Sequence, residues 1–489
     1  MLNLLAFDLG AESGRAMLGR FDGERLAIEE KHRFPNRPVP AADGLHWDAR
    51  GLFEEMKKGL AAAGPKLASI GVDTWGVDYG LVGRSGALLE NPFHYRDART
   101  DGVMEKLFEV VPREEVFAAT GIQFMQLNTL YQLYATRLAR PRVLEQAHTL
   151  LMMPDLFHYW FTGRAAGEYT IATTTQFYDP RAGGWAREML ARLGLPDRIL
   201  PEIVPPGTRL GMLAAPVAAE AGVEPMAVVT PAAHDTGSAV AAAPAEGPDW
   251  AFLSSGTWSL LGAEVSQPII NDLTLAANFT NEGGAWGTIR LLKNISGMWL
   301  LEECRRHWAL EGPSPGYAEL CAGALAAKSF AAVLDPDDPS FLSPGEMPSK
   351  IAAYCRRTGQ TSPQGRGQTA RVIFESLALK YRSVLRMLEG ILERRIRVLH
   401  IVGGGSRNAV LCQFTADATG LPVVAGPEEA TAIGNVLLQM MALGHIHTPA
   451  EARELVRRSF QPRLYQPGPP GPWDAAETLR LAREIEGAA

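Results

Sequence analysis

Three short turns carry residue types that phosphoryl transfer requires. Asp8–Arg15 contains glycine and serine, which would let backbone N–H groups approach an anion, and Asp8 could hold Mg²⁺ directly or through water. Ser254–Thr257 and Gly403–Ser406 are similar turns at the ends of apolar runs. No G-x-x-x-x-G-K-[ST] sequence occurs, which excludes a P-loop. Each turn taken alone is more often a tight turn than a phosphate site, but three together favour a nucleotide site.

Asp235 is the acid best placed for base chemistry. It follows the apolar run Ala227–Val229 and is succeeded by Thr-Gly-Ser. An unperturbed aspartate has a pKa of about 3.9, so at neutral pH it could accept the proton of an attacking hydroxyl. The alternative is an aspartate that caps the start of a helix, which is common in such a sequence.

Other polar residues could bind a sugar. Trp75 within Asp73–Asp78 could pack its indole face on a sugar ring, or it could be a half-buried strand aromatic. Asn294 could reach a sugar hydroxyl or be an ordinary loop residue after a short strand. His234 beside Asp235 suggests a His/Asp pair, but no G-x-S-x-G sequence accompanies it, which argues against a hydrolase.

The elements that must position these residues are predicted from apolar runs and turn signals. The predicted strands are three within Leu2–Phe34, two within Ser69–Tyr79, then Trp250–Ser254, Trp258–Val265 and Val398–Val402. The predicted helices are Ala98–Val111, Thr129–Leu138, Pro154–Phe161, Ala370–Leu392, one from about Asn408 and one after the Pro-rich connector Gln461–Pro472. Asp335–Pro348 is predicted to be a loop.

The bulk properties indicate an α/β chain of two domains. The 489 residues are 46% hydrophobic, and a single core stops growing near ~250–300 residues. The strand pattern restarts near residue 246, so we expect an N-terminal domain, 1–245, and a C-terminal domain, 246–489. Domain interfaces and the carboxyl ends of parallel strands are where small ligands usually bind.

Charge and cysteine usage narrow the class of partner. The net charge of −7 is spread along the chain, which argues against nucleic acid or an anionic membrane surface as partner. The N-terminus has no basic segment and no apolar run is long enough to span a bilayer, so we expect a cytoplasmic protein. The four cysteines have no metal or redox spacing and are interpreted as buried small residues: Cys304, Cys321, Cys355 and Cys412.

The sequence resembles the large sugar-kinase family that includes glycerol kinase and xylulokinase. The motifs that carry the resemblance run through nearly the whole chain: Phe7–Ala11 with Ser13–Arg15, Gly71–Asp78, Tyr95–Asp97 with Arg99 and Thr100, Gly121–Phe124 with Asn128–Gln132, Ala172–Gln176, His234–Thr236, Leu253–Leu260, Asn281–Gly284 and His400–Gly405. The resemblance implies two actin-like (ribonuclease H-like) domains facing a central cleft, with ATP and Mg²⁺ as cofactors. It also implies that the N-terminal domain, 1–245, binds the sugar and that the C-terminal domain, 246–489, binds the nucleotide.

The resemblance also implies a role for individual residues. Asp235 would be the base that faces the C1 hydroxyl of L-rhamnulose, giving L-rhamnulose 1-phosphate for rhamnose breakdown, and Asp8 would lie near the metal. The implied sugar-binding residues are Gly76, His234, Asp235, Thr236 and Asn294. The implied ATP-binding residues are Ala11, Glu12, Ser13, Gly14, Arg15, Thr257, Glu302 and Gly404.

Two residues depart from the family pattern. Glu302 stands where a nucleotide-contacting Gln is expected, and Glu12 replaces a small hydroxyl residue beside the phosphates. Two alternatives remain open at this stage. One is a kinase for another ketose, such as L-fuculose or L-xylulose. The other is a non-catalytic, nucleotide-gated sugar sensor on the same scaffold.

Overall fold

The computed structural model describes residues 1–477 and divides them into two compact units. Unit 1 comprises Met1–Pro244, Glu264–Leu292 and Glu429–Phe460. Unit 2 comprises 245–263, 293–428 and the described part of the chain after 460. The first change of unit falls beside the predicted boundary at residue 245, but two later segments return to unit 1.

The strands of the described chain are β1 Leu2–Leu9, β2 Ser13–Phe21, β3 Leu26–Pro35, β4 Val39–Ala41, β5 Gly44–His46, β6 Ser69–Thr74, β7 Tyr79–Gly83, β8 Ala147–Met152, β9 Gly167–Glu168, β10 Tyr178–Asp179, β11 Gly184–Trp185, β12 Ile203–Val204, β13 Thr208–Met212, β14 Ala227–Thr230, β15 Trp250–Ser255, β16 Trp258–Val265, β17 Thr280–Gly283, β18 Ile289–Ser296, β19 Val398–Val402, β20 Val423–Ala425 and β21 Arg463–Tyr465.

The helices are α1 Ala49–Ala63, α2 Val103–Phe108, α3 Arg113–Thr120, α4 Thr129–Ala139, α5 Pro141–Gln146, α6 Met153–Thr162, α7 Tyr169–Ala172, α8 Arg187–Arg192, α9 Ala215–Ala221, α10 Asp235–Ala241, α11 Asp272–Ala276, α12 Trp299–Glu311, α13 Tyr317–Ala326, α14 Met347–Arg357, α15 Gly365–Leu392, α16 Ala409–Thr419, α17 Ala430–Ala442 and α18 Pro449–Ser459. Short 3₁₀ turns occur at Ala98–Thr100, Thr173–Thr175, Asp197–Ile199, Pro339–Phe341 and Gly404–Arg407.

Unit 1 is built on a six-stranded sheet with the order β13-β14-β6-β1-β2-β3. Strands β1, β6 and β14 are parallel, whereas β1, β2 and β3 form an antiparallel meander. Leu4, Leu5, Ala6 and Phe7 are all fully buried, as expected for a central strand covered on both faces. The carboxyl ends of the parallel strands meet at one edge of this sheet, and that edge carries the candidate site.

Two helices that are distant in sequence pack on this sheet. Helix α6 brings Phe161 against Phe7, with ring centroids 5.8 Å apart. Helix α17, almost two hundred residues after β14, packs on β1 and β6 and also lies against α10. The segment that contains α17 therefore belongs to unit 1, although the sequence places it in the predicted C-terminal domain.

Unit 2 contains the strands β16-β15-β19-β20-β21 of a seven-stranded sheet. The pairs β15–β19 and β19–β20 are parallel, and β15–β16 is an antiparallel hairpin like the one formed by β1 and β2. The long helix α15 buries Tyr381, whose hydroxyl lies 2.7 Å from the Oγ of Ser259 in β16. The strand, glycine turn and helix predicted after Val398 are confirmed.

Some local predictions were wrong. The predicted helix Ala98–Val111 is a 3₁₀ turn followed by the short α2, because Gly102 takes a left-handed conformation with φ of 67° between them. Asp335–Pro348 contains a 3₁₀ turn and the first residues of α14. Residues 471–477 are helical, and the rest of the predicted last helix lies outside the described residues.

The predictions about cysteines are largely confirmed. Cys304, Cys355 and Cys412 are buried as expected, whereas Cys321 is half-buried. Within residues 1–477, no helix is both long and apolar enough to cross a membrane.

Candidate active site

Three aspartates meet at the carboxyl edge of the unit 1 sheet. Asp8 in β1 and Asp73 in β6 are directly paired in the parallel register, so their side chains lie on the same face. Asp235 is the first residue of α10, which follows β14, and the charges of Asp8 and Asp235 both act on Asp73. Asp8 and Asp73 are buried, while the Asp235 side chain is 29% exposed. The structure thus places Asp235 at the same sheet edge as Asp8 and Asp73.

Burial and the repulsion from nearby carboxylates raise the pKa values of Asp73 and Asp235. Burial, followed by the nearby charge of Asp8, raises the pKa of Asp73 well above its usual range. Burial also raises the pKa of Asp235, and the adjacent His234 opposes that rise. The Arg15 guanidinium contacts both Asp8 and Glu429, and the charge of Asp8 is the main cause of its raised pKa. The positive charge of Arg15 therefore balances part of the negative charge of these closely spaced carboxylates.

The same cluster has the chemistry of a Mg²⁺ site that is completed by phosphate. The Oδ2 atom of Asp73 accepts a 2.6 Å hydrogen bond from Asn435 of α17, whereas its buried Oδ1 has no hydrogen-bond partner. Among the described residues, no group of three or more His, Cys, Asp or Glu side chains is arranged to hold a metal. Mg²⁺ usually binds through one or two carboxylates together with substrate phosphates. Asp8 and Asp73 fit that pattern.

Asp235 also forms the local contacts expected at a helix start. Its Oδ1 atom accepts hydrogen bonds from the backbone N–H of Thr236 at 2.6 Å and from the hydroxyl of Thr236 at 3.3 Å. Asp235 is nevertheless the first residue of α10 and not its cap, because the cap residue is His234 and it forms no side-chain capping bond, so the capping alternative was wrong. The bonds from Thr236 orient the carboxylate through Oδ1, and they are compatible with a base that acts through the other oxygen.

His234 links Asp235 to a buried ion pair. Its Nε2 atom lies 3.4 Å from Oδ1 of Asp235, and its Nδ1 atom lies 3.1 Å from Nη2 of Arg290 and 3.2 Å from Oε2 of Glu282. A methyl group added at Gly76 would be 3.3 Å from Nε2 of His234, so glycine lets the backbone approach the imidazole closely. The structure therefore brings the predicted residues Gly76 and His234 together beside Asp235.

The hairpin between β1 and β2 presents the predicted phosphate-binding residues. Glu12 at its tip is exposed, and Ala11 and Ser13 are half-buried. Asn36 supports the hairpin, because its side chain donates to the carbonyl of Gly10 at 2.8 Å and its backbone N–H donates to that of Glu12 at 3.0 Å. At Gly14 the requirement for glycine is steric, since an added methyl group would lie 2.3 Å from the Phe34 ring.

In unit 2 the two remaining small-residue turns pack against each other. A methyl group added at Gly405 would lie 2.0 Å from the Oγ of Ser255, and one added at Gly403 would lie 3.2 Å from its carbonyl oxygen. Gly404 between them is exposed, with no atom within 4 Å of an added methyl group. The parallel pairing of β15 with β19 brings the turns together, and it leaves the Gly404 backbone open to a ligand.

Thr257, Glu302 and Asn294 also belong to the β15–β18 region of unit 2. The Thr257 carbonyl accepts the N–H of Trp299 at 3.2 Å, which places the start of α12 beside the turn, and Glu302 lies in the first turn of α12. The carboxylate of Glu302 forms a 2.8 Å ion pair with Arg305. Asn294 lies within β18, so its interpretation as a loop residue was wrong, because the strand continues to Ser296.

The interpretation of Trp75 as a sugar platform was also wrong. Its indole packs on Trp47 with ring centroids 4.3 Å apart, and only 6% of the residue is exposed. Both indole N–H groups donate to Oδ2 of Asp78, at 3.0 Å from Trp75 and 2.6 Å from Trp47. Burial raises the pKa of Asp78 to about 6. These residues form a buried structural network.

Sequence reasoning missed several buried polar residues around the site. The missed residues are Glu168, Thr170, Glu282, Arg290, Glu429 and Asn435. Two of them could have been noticed in the sequence, namely Arg290 inside an apolar strand and Glu168. A charged residue rarely lies in the interior without a partner, so a charge in a buried segment indicates a buried ion pair or hydrogen-bond network.

The fold is the mixed α/β, actin-like fold of two-domain sugar kinases. Solved structures of this fold include a xylulose kinase from Lactobacillus acidophilus, with a TM-score of 0.81 at 15% identity over 100% of this chain and 98% of that chain. A gluconate kinase from the same organism has a TM-score of 0.80 at 16% identity, covering 99% of this chain and 98% of that chain. At these identities the likeness concerns the fold alone.

The family follows from the sequence. Residues 3–242 match the N-terminal domain of the FGGY family of carbohydrate kinases, and residues 251–443 match its C-terminal domain. The chain belongs to this family, which confirms the resemblance found in its motifs. A rhamnulokinase from Bacteroides thetaiotaomicron is 47% identical over 97% of this chain and 98% of its own length. A rhamnulokinase from Halalkalibacterium halodurans is 42% identical over 94% of this chain and 98% of its own length.

Proposed function

We propose that this chain transfers the γ-phosphoryl group of ATP to the C1 hydroxyl of L-rhamnulose, giving ADP and L-rhamnulose 1-phosphate. The rhamnulokinases that match it do so over nearly its full length, and the chain retains the family motifs on both sides of residue 245. The use of ATP as co-substrate favours a cytoplasmic location for the protein. The proposed product, L-rhamnulose 1-phosphate, favours a role in rhamnose breakdown.

The observation that carries the proposal is the position of Asp235. It stands at the carboxyl edge of a parallel sheet, its Oδ1 is held by Thr236, and it lies beside His234. As the sugar oxygen forms its bond to the γ-phosphorus, the hydroxyl proton passes to Asp235 and the bond from phosphorus to the ADP oxygen breaks. A carboxylate whose pKa is raised by burial is a stronger proton acceptor than one in water.

The residues that the family motifs indicate would bind the sugar and the phosphates. We assign the sugar hydroxyls to Gly76, His234, Thr236 and Asn294. We assign ATP to Ala11, Glu12, Ser13, Gly14, Arg15, Thr257, Glu302 and Gly404. Asp8, supported by the unpartnered Oδ1 of Asp73, would hold Mg²⁺, which neutralises phosphate charge when it is bound.

Release of ADP in the presence of ATP, Mg²⁺ and a panel of ketoses tests the proposal. We expect the highest kcat/KM on L-rhamnulose and a loss of at least about a hundredfold in Asp235→Asn, since removing a positioned base costs about 10²–10⁴-fold. Asp272→Asn is a matched control, because Asp272 also begins a short helix but is exposed.

The outcomes separate reaction, substrate and base. If kcat/KM were highest on L-fuculose or L-xylulose, the chain would still be a ketose kinase, but L-rhamnulose would be rejected as its preferred substrate. Full activity in Asp235→Asn would reject the base. No ADP release with any ketose would reject the proposed function.

A further inference from the structure

Two consecutive backbone N–H groups just before Asp235 are held by one buried acid. The N–H of Ala233 donates to Oε2 of Glu168 at 3.0 Å, and the N–H of His234 donates to Oγ1 of Thr170 at 3.1 Å. The Thr170 hydroxyl in turn donates to the same Oε2 atom at 2.6 Å. One carboxylate oxygen therefore fixes both N–H groups, directly at Ala233 and through a hydroxyl at His234. We call Glu168 and Thr170 the loop clamp.

The clamp is rigid because it is buried and anchored independently of the loop. Glu168 and Thr170 are both fully buried. Glu168 caps helix α7 by accepting the N–H of Ile171 at 3.1 Å, and its own N–H donates to Asp155 at 3.0 Å. A single oxygen of Glu168, Oε2, therefore accepts three hydrogen bonds, from Thr170, Ile171 and Ala233. The clamp thus fixes the loop to α7 without using a residue that we assign to a ligand.

The opposite edge of the loop is held by the sheet. The carbonyl of Ala233 accepts the N–H of Thr74 at 2.9 Å, at the end of β6. The hydroxyl of Ser238 donates to the carbonyl of Ala232 at 2.8 Å. The peptide groups that precede Asp235 are therefore bonded on both sides, and they define where its Cα atom lies.

We propose that Glu168 and Thr170 are positioning residues that set the location of the Asp235 carboxylate. This inference rests on the proposed function, in which Asp235 is the base. Neither residue of the clamp needs to touch the sugar or ATP. Because a displacement of about 1 Å at a reacting group can cost about a hundredfold in rate, loosening the clamp should lower kcat more than it changes substrate affinity.

The decisive variant is Thr170→Val, which keeps the shape of the side chain and removes the hydroxyl. It leaves the buried N–H of His234 without its acceptor and removes one of the donors to Glu168. We expect kcat to fall by about 10- to 100-fold, while the KM for ATP changes by less than about twofold. Thr170→Ser keeps the hydroxyl and should restore kcat to within about threefold of wild type.

Thr175→Val is the matched control for loss of a buried threonine hydroxyl. Thr175 is fully buried too, but its hydroxyl bonds only to Ala172 and Phe177 within its own segment. It should leave kcat within about threefold of wild type. Amide hydrogen exchange of residues 231–238 provides a readout that does not depend on catalysis, and it should accelerate in Thr170→Val alone.

The outcomes keep the two proposals apart. A Thr170→Val enzyme with wild-type kcat, or a Thr170→Ser enzyme as slow as Thr170→Val, would overturn the role of the clamp. Unchanged hydrogen exchange in Thr170→Val would overturn it as well. If wild-type protein released no ADP with any ketose, the proposed function would fail, and the exchange measurement would still decide whether the clamp holds the loop.

Discussion

Gly434 in α17 is the point at which an added methyl group should disturb the site most. Helix α10, which begins with Asp235, crosses α17 so closely that a methyl group at Gly434 would lie 1.8 Å from the carbonyl oxygen of Ser238 and 2.5 Å from its carbonyl carbon. Both contacts are with backbone, so no side chain can rotate away. The variant Gly434→Ala therefore has to move one helix relative to the other.

The size of the effect follows from this distance. Carbon and oxygen atoms in contact are normally about 3.3 Å apart or more, so the helices must separate by about 1.5 Å. Overpacking of a buried contact costs up to about 3 kcal/mol, whereas alanine is favoured over glycine in a helix by about 1 kcal/mol. Steric repulsion prevails, and we expect Gly434→Ala to lower the free energy of unfolding by about 2 kcal/mol. Since α10 carries Asp235, kcat should fall by about tenfold or more.

Urea unfolding and ADP release from the folded fraction are the two assays. Gly390→Ala is the control, because Gly390 lies on the exposed face of α15 with no atom within 4 Å of an added methyl group, and it should stabilise unit 2 by about 0.5–1 kcal/mol. Unfolding free energies for Gly434→Ala and wild type that agree within about 0.5 kcal/mol would refute the packing argument. Destabilisation with unchanged kcat would refute the link from α17 to Asp235.

Two further predictions concern carboxylates near the site. Burial raises the pKa of Glu168 from 4.5 to about 7, so the folded state favours the protonated carboxyl group. The stabilisation from this preference is complete below pH 4.5 and is lost as the pH rises to 7. The free energy of unfolding should therefore fall by about 3 kcal/mol over this interval. Glu168→Gln should therefore show a smaller decline over this interval in urea unfolding at several pH values; an equal decline would exclude Glu168 as its source. Glu12→Ser should lower the KM for ATP by about two- to fivefold, since it removes an exposed negative charge from the phosphate hairpin, and the effect should shrink in high salt. A KM for ATP that is unchanged or higher would contradict the repulsion.

The sequence determined the local elements and indicated the acid that we propose as the base. The buried run in β1, the hairpin after it and the long helix α15 follow from patterns of adjacent residues, and the structure confirms them. Asp235 could be placed near a sheet edge because it comes shortly after the apolar run Ala227–Val229, and ligands bind at the carboxyl ends of parallel strands. The family motifs added the expected ligands, which no local pattern specifies.

Only the tertiary structure determined which residues hold the site in place. Glu168 bonds to Ala233 across 65 positions of the chain, and Asn435 bonds to Asp73 across 362. Neither pairing leaves a periodic signal, because hydrogen-bond partners and burial depend on which distant elements pack together. The same dependence turned Trp75 from a predicted sugar platform into a core residue. Sequence patterns thus located the carboxylate that we propose as the base, while non-local packing fixed its position and its electrostatic environment.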